Sequence, residues 1–150
     1  MTTYQRESFE EAYPDAMPLL MLHWKEISSN LDIALDVNVE AYRTSEANNL
    51  LRIYTARDNG VMLGYVAVFV HKGLHYQQSL QATQDVFYVD PRHRGKMLGL
   101  RLIKFVENQL KEEGVQVLCQ HVKIKHPALG YLLERSGYTA VEKIYQRRLD

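Results

Sequence analysis

The sequence contains a single cysteine, Cys119, so it has no internal disulfide. Its formal charge is balanced, with 18 basic against 18 acidic residues, whereas nucleic-acid-binding proteins are usually basic. No apolar run approaches the roughly 18 residues of a membrane helix. The sequence does not open with a charged segment followed by an apolar stretch, so we expect no secretion signal. We therefore expect a cytoplasmic protein with no membrane partner and no nucleic-acid partner.

The composition is that of a single folded domain. The 150 residues are 46% hydrophobic and 24% charged, which predicts one globular domain over residues 1–150. Repeats and low-complexity segments are absent. The six histidines include no pair that has metal-ligand spacing and a third ligand nearby, so we expect no metal.

The first fifty residues are predicted to be mainly helical. A short strand is predicted before Ser8, and Ser8 followed by Glu11 fits a capping box. The helical turn that begins there is predicted to be interrupted by Pro14. Asp15 then caps a second helix with apolar residues at steps of three and four. Asp36 is predicted to cap a third helix that runs to about residue 49.

Residues after 50 change to a pattern typical of strands. β-branched and aromatic residues predict three long strands, over Leu51–Arg57, Val61–His71 and Ser79–Val89. The Asn59-Gly60 pair between the first two suits a tight hairpin turn.

The remaining third of the chain alternates between helix and strand. The predicted elements are a helix over about Met97–Glu113, a strand over Val115–Val122, a short helix over Pro127–Ser136, and strands over Tyr138–Val141 and Ile144–Leu149. The order predicts an α+β fold, with a single mixed, mostly antiparallel sheet flanked by helices.

The segment between the third long strand and the next helix carries the clearest functional signal. Gly95 and Gly99 allow a ligand to approach the backbone, and Arg92, Arg94 and Lys96 add positive charge. The first N–H groups of a helix lack internal partners, and the helix dipole favours an anion there. This predicts a pyrophosphate site. The alternative is a basic surface turn with a helix cap.

This turn resembles that of the GNAT superfamily of N-acetyltransferases. The family pattern is Arg/Gln-x-x-Gly-x-Gly/Ala, and the matching residues are Arg94, Met97 and Gly99. Met97 stands where the pattern has its first glycine. Gly137-Tyr138 matches the Gly-Phe that ends a short helix in the family. The order of elements agrees over about residues 50–149.

The resemblance implies that acetyl-CoA is the acyl donor. Its pyrophosphate would lie on the turn residues, which are Arg92, Arg94, Gly95, Lys96, Met97, Leu98 and Gly99. Its pantetheine would lie where the fourth strand splays from the fifth, along Phe87, Tyr88 and Val89. His126 would also contact pantetheine.

The resemblance also implies a base for the acceptor amine. A lysine-type amine has a pKa of about 10.4, so only about one in 2,500 is neutral at pH 7. Asp85 matches a glutamate that many family members place on the fourth strand, and strand alternation puts it on the face of Phe87 and Val89. A strand-edge aspartate paired with a cation is the alternative, and His121 is a second candidate base. Leu133 occupies the family's usual tyrosine position, so the proton donor to the thiolate is left open.

Two polar-aromatic clusters are candidates for the acceptor pocket. His23 and Trp24 lie on the first long helix, and His75 and Tyr76 follow the second long strand. Their alternatives are a core anchor for Trp24 and a hairpin connector for His75-Tyr76.

The resemblance implies transfer of an acetyl group from acetyl-CoA to a primary amine of a small molecule or protein, by direct attack in a ternary complex. Two alternatives stay open, namely a non-catalytic acyl-CoA-binding module and a toxin that acetylates aminoacyl-tRNA. A homodimer is compatible with the sequence.

Overall fold

The computed structural model describes all residues, Met1–Asp150. Its elements are β1 (Thr2–Glu7), α1 (Phe9–Ile27), α2 (Val39–Ala47), β2 (Leu51–Asp58), β3 (Val61–Lys72), β4 (Leu80–Val89), α3 (Leu98–Glu112), β5 (Val117–Cys119) and α4 (Ala128–Arg135). The five strands lie in chain order in one sheet. Neighbours from β1 to β4 are antiparallel, and β4 and β5 are parallel. The predicted α+β fold with a mixed sheet is confirmed.

The sheet is covered by helices on both faces. One core cluster joins it to α3 and α4, and the other joins it to α1 and α2. Because both faces are covered, the side chains of β2 and β3 are almost all buried. The hairpin between them turns at Asn59 and Gly60, both with positive φ, as the Asn-Gly pair predicts.

Helix α1 is continuous, so the predicted break at Pro14 and the new start at Asp15 are wrong. The capping box of Ser8 and Glu11 begins the helix as predicted, but Pro14 and Pro18 both lie inside it. Each internal proline removes a helical hydrogen bond and costs about 3 kcal/mol. The helix is maintained by a stripe that packs on the sheet along its whole length: Phe9, Ala12, Ala16, Leu19 and His23. Helix α2 begins at Val39 with Asn38, not Asp36, as its cap.

Strand β5 is shorter than the predicted Val115–Val122, because β4 diverges from it. Their pairing ends at Thr83 and Cys119. On the other side of β4, the register passes from Val68–Gln84 to Ala67–Val86, which leaves Asp85 as the extra residue of a β-bulge. Bulges bend a strand and increase its local twist. The last residues of β4 are therefore free of β5.

The two strands predicted after α4 are not formed. Residues after Gly137 adopt no regular structure, since the short β5 offers little edge for pairing. The tail instead contacts the loop between α1 and α2. Arg148 donates two hydrogen bonds to Asp32, at 3.0 and 2.9 Å, and Asn30 donates one to Gln146, at 3.0 Å.

Candidate active site

A cavity of about 770 Å³ opens beside the free end of β4. Its walls come from the last turn of α1, the end of β4, the start of α3 and the segment from β5 to α4. Twelve residues predicted from the sequence line it: His23, Asp85, Phe87, Tyr88, Val89, Arg94, Gly95, Met97, Leu98, Gly99, His121 and His126. The structure thus brings most of the predicted site together.

Five predicted site residues do not line this cavity. Arg92 is turned toward Asp90, to which its Nε donates at 3.0 Å, and Lys96 is exposed. His75 and Tyr76 lie in the exposed loop between β3 and β4, at the other end of β4 from Val89. Trp24 lines a second, adjoining cavity.

The start of α3 presents a row of unpartnered backbone donors. The six consecutive N–H groups from Gly95 to Leu100 donate no hydrogen bond within the protein, and no side chain caps the helix. Arg101 is the first residue bonded in the helical manner, to the carbonyl of Met97 at 3.0 Å. Successive free N–H groups at a helix start form a site for an anion.

Met97 has a backbone conformation that favours glycine. Its φ is 61°, in the left-handed region, and it precedes the first residue of α3. The GNAT pattern has glycine at this position, and glycine adopts such a φ without steric cost. The Met97 side chain is 57% exposed, so it does not serve as core packing.

Gln84 holds the opening between β4 and the residues after β5. The side chain is 6% exposed, and its Oε1 accepts a hydrogen bond from the His121 N–H at 2.6 Å. A side chain therefore replaces the backbone ladder where the strands separate. Sequence reasoning missed this residue, although a glutamine in a strand of mostly apolar residues was a usable signal.

The bulge changes which neighbours surround Asp85. Its carboxylate accepts a hydrogen bond from the Tyr42 hydroxyl on α2, whereas Phe87 and Val89 pack in the core on the α3 side. The expected shared face with Phe87 and Val89 is therefore wrong, because the extra residue resets the alternation of the strand. Burial, together with Asp85, raises the pKa of Tyr42 well above its ordinary value, so its hydroxyl remains a donor.

His23 is a buried, neutral part of the cavity wall. Its Nδ1 lies 3.1 Å from the Tyr65 hydroxyl, and its ring stacks on Tyr88 with centroids 4.6 Å apart. Burial lowers the pKa of His23 to about 4; Glu26 opposes this effect and Arg94 reinforces it. At neutral pH the imidazole is uncharged and a weak proton acceptor.

Arg94 is bound to a carboxylate that sequence reasoning missed. Its guanidinium donates two hydrogen bonds of 2.9 Å to Glu26, and its Nε donates to the Val89 carbonyl at 2.9 Å. The Nδ1 of His126 lies 3.6 Å from the same carboxylate. Burial alone would raise the pKa of Glu26, but Arg94 and His126 lower it, so Glu26 is ionised. Its position three residues after His23 on one helix face was the available signal.

The structure shows no group of three His, Cys, Asp or Glu side chains placed to hold a metal ion. No helix has the length and apolar character needed to cross a membrane.

The family model for acetyltransferases of the GNAT type matches residues 1–138. The chain belongs to the GNAT acetyltransferase family. The resemblance seen in the turn is therefore confirmed over most of the chain. A search of curated protein sequences finds no match.

Solved structures with this fold include GNAT proteins with different acceptors. One from Clostridium acetobutylicum, described as a predicted acetyltransferase with acetyl-CoA, is 15% identical with a TM-score of 0.74, and the match covers 99% of this chain and 97% of that one. An aminoglycoside acetyltransferase from an uncultured soil metagenomic sample, in complex with trehalose, is 12% identical with a TM-score of 0.79, over 99% and 95%. Glucosamine-6-phosphate N-acetyltransferase from Arabidopsis thaliana is 16% identical with a TM-score of 0.72, over 100% and 99%.

The cavity of this GNAT acetyltransferase fits the family's donor, acetyl-CoA. The free N–H groups before and in the first turn of α3 suit a pyrophosphate, and the separated end of β4 leaves room along Phe87, Tyr88 and Val89. These identities, all below 25%, show the fold and leave the acceptor undecided.

Proposed function

We propose that this acetyltransferase transfers an acetyl group from acetyl-CoA to a primary amine of a small molecule or protein, by direct attack in a ternary complex. One observation carries the proposal. The cavity that begins at the unpartnered N–H groups around the start of α3 continues along the free end of β4 to Asp85. A donor site and a candidate base thus lie in one continuous space.

In this proposal the main chain binds the donor's phosphates. The N–H groups of residues 95–100 donate to the pyrophosphate, and the helix dipole adds about 0.3–1 kcal/mol. Arg94 contributes less to phosphate binding than the main-chain N–H groups do, because its guanidinium is already paired with Glu26. Phe87, Tyr88 and Val89 line the space for pantetheine, and His126 lies at its edge. The bound donor supplies an activated acetyl thioester.

Asp85 is the proposed base for the acceptor. The amine nitrogen forms a bond to the acetyl carbon, the carbon–sulfur bond breaks, and the sulfur leaves as the thiolate. The ammonium of the acceptor first gives one proton to Asp85. After the attack the nitrogen loses a second proton to solvent, and solvent returns one proton to the thiolate. A positioned base is typically worth 10²- to 10⁴-fold in rate. His121, which lines the same cavity, is the alternative base.

Helix α4 provides no acid for the thiolate. Leu133 is buried in the core on the α3 side of the sheet, and Tyr131 is 64% exposed and does not line the cavity. Protonation from solvent is therefore part of the proposal.

Titration and turnover together test this function. Isothermal titration with acetyl-CoA should give saturable binding, and mixing with a panel of primary amines should release free thiol. Binding without thiol release from any amine would favour the non-catalytic module. Thiol release that depends on aminoacyl-tRNA and falls steeply with salt would favour the toxin. A cytoplasmic location and a homodimer remain predictions.

A further inference from the structure

A second cavity, of about 310 Å³, adjoins the active-site cavity. The two share three wall residues, His23, Ile27 and Lys123. The second cavity also reaches Val86, the residue that follows Asp85 on β4. A molecule whose amine lies at Asp85 would therefore extend into this space. We call it the acceptor pocket, an assignment that rests on the proposed function.

The acceptor pocket contains one formal charge, and that charge is positive. Lys123 is its only charged lining residue, and no carboxylate lines it. The Lys123 ammonium makes no ion pair or hydrogen bond within the protein. By contrast, the nearby Lys125 donates to the Ser28 carbonyl at 3.3 Å, so the Lys123 charge alone is available to a ligand.

The rest of the acceptor pocket is neutral and largely apolar. Its apolar wall consists of Leu20, Trp24, Ile27, Leu35 and Val86. His23 adds no charge, because burial lowers its pKa to about 4. Ser28 and Asn30 offer neutral hydrogen-bonding groups, and Asn30 is held by Gln146 of the C-terminal tail. A polycation would meet no compensating charge here.

We propose that the acceptor is a small apolar amine that also carries an anionic group, as an apolar amino acid does. Its amine lies at Asp85, its anionic group pairs with Lys123, and its apolar side chain fills the acceptor pocket. The negative charge of Asp85 and the positive charge of Lys123 are thus opposite in sign to the two charged groups of the acceptor. The pocket lies at the small end of the usual range for ligand sites, about 300–1,000 Å³, which suits an acceptor of this size.

Leucine and leucinamide give a matched test. They have the same shape and differ in the charge of one group, and the amide's ammonium is the more acidic, so ordinary amine reactivity favours leucinamide. We expect kcat/KM from thiol release to be at least tenfold higher for leucine, with spermidine slower than either. Equal rates, or preference for leucinamide or spermidine, would overturn this inference while leaving acetyl transfer to amines intact. No thiol release with any amine would overturn the proposed function as well.

Lys123→Met identifies the residue responsible. The leucine-to-leucinamide ratio should fall at least fivefold, whereas Lys111→Met, the same charge change at the exposed end of α3, should leave the ratio unchanged. If kcat/KM fell equally for leucine and leucinamide, and titration showed weaker acetyl-CoA binding, Lys123 would be a residue of the donor site. That result would overturn its assignment to the acceptor's anionic group. An unchanged ratio would do the same.

Discussion

The Tyr42 hydroxyl donates a hydrogen bond to the carboxylate of Asp85 and thereby joins α2 to the bulge of β4. Tyr42 also stacks on Phe9 of α1, with ring centroids 5.5 Å apart. The candidate base is therefore oriented by a side chain fixed on a neighbouring helix. A carboxylate oriented in this way loses less conformational freedom when an amine arrives.

Replacing Asp85 with Asn tests the base directly. Asn keeps the shape and can still accept from Tyr42, but it cannot take a proton at neutral pH. We expect kcat to fall by about 10²- to 10⁴-fold at pH 7, with unchanged acetyl-CoA affinity by titration. The deficit in kcat should narrow as the pH approaches the pKa of the acceptor's amine, where the acceptor is neutral without help. A normal pH–rate profile would exclude Asp85, and His121→Gln would then test the alternative.

Tyr42→Phe should lower kcat by about tenfold, because the Asp85 carboxylate loses its orienting donor. Tyr13→Phe is the matched control, since Tyr13 also stacks on Phe9 but makes no side-chain hydrogen bond. In an Asp85→Asn background, Tyr42→Phe should cost little more, which a double-mutant cycle measures. Independent losses in the double variant would mean that Tyr42 acts through the fold alone.

Gly99→Glu should weaken acetyl-CoA binding at least a hundredfold, since it puts a carboxylate beside the free N–H groups at the start of α3. Gly99→Gln is the control for side-chain size, because glutamine has nearly the shape of glutamate but carries no charge. A Cβ here would lie 3.3 Å from the Leu132 side chain, which can shift, so we expect Gln to cost less than Glu by at least tenfold. Titration gives both affinities. Equal effects of the two variants would assign the loss to packing.

Met97→Gly should stabilise the protein by about 0.5–1 kcal/mol. Glycine removes the strain of the left-handed φ of 61°, which costs roughly 1–2 kcal/mol for a residue with a Cβ. Glycine also makes the unfolded chain more flexible, which lowers the free energy of unfolding by about 0.4–1 kcal/mol. Acetyl-CoA affinity should not fall. Lys96→Gly is the control, since Lys96 lacks a positive φ, and it should destabilise. Urea unfolding measures the free energy of unfolding of both variants. A lower value for Met97→Gly than for wild type would show that Met97 is not strained.

The low pKa of His23 predicts a specific loss of stability in acid. The native pKa is about 4, below the ordinary 6.5, so the unfolded chain binds the extra proton first. The stability that this group contributes is complete above pH 6.5 and is lost as the pH falls toward 4. Wild type should lose about 2–3 kcal/mol more than His23→Gln between pH 7 and pH 4.5. If wild type and His23→Gln lost the same free energy of unfolding in acid, as measured by urea titration, the lowered pKa of His23 would be contradicted.

Local patterns predicted the elements whose partners lie nearby in sequence. The Asn59-Gly60 turn set the β2–β3 hairpin, and the apolar stripe of α3 placed that helix within a residue at each end. The break predicted at Pro14 is wrong because the helix is stabilised by packing of α1 on the sheet, and that packing depends on residues far along the chain.

The phosphate turn was predictable from sequence and the catalytic neighbourhood was not. Glycines and cations between strand and helix marked the turn. The bulge at Asp85 has no such signature, because it arises from how β3 and β4 register. Glu26 and Tyr42 lie on helices distant in sequence from Arg94 and Asp85, so only the folded chain shows that these pairs meet.

The donors at the start of α3 have a consequence for how this protein tolerates change. Every amino acid except proline carries a main-chain N–H, so an uncharged side chain that leaves the backbone path of segment 95–100 unchanged also leaves its hydrogen-bonding face the same. A methionine in place of the family's glycine alters the strain of the turn and leaves its chemistry intact. Proline substitutions, which delete one N–H at a time, are the changes this segment can least accommodate.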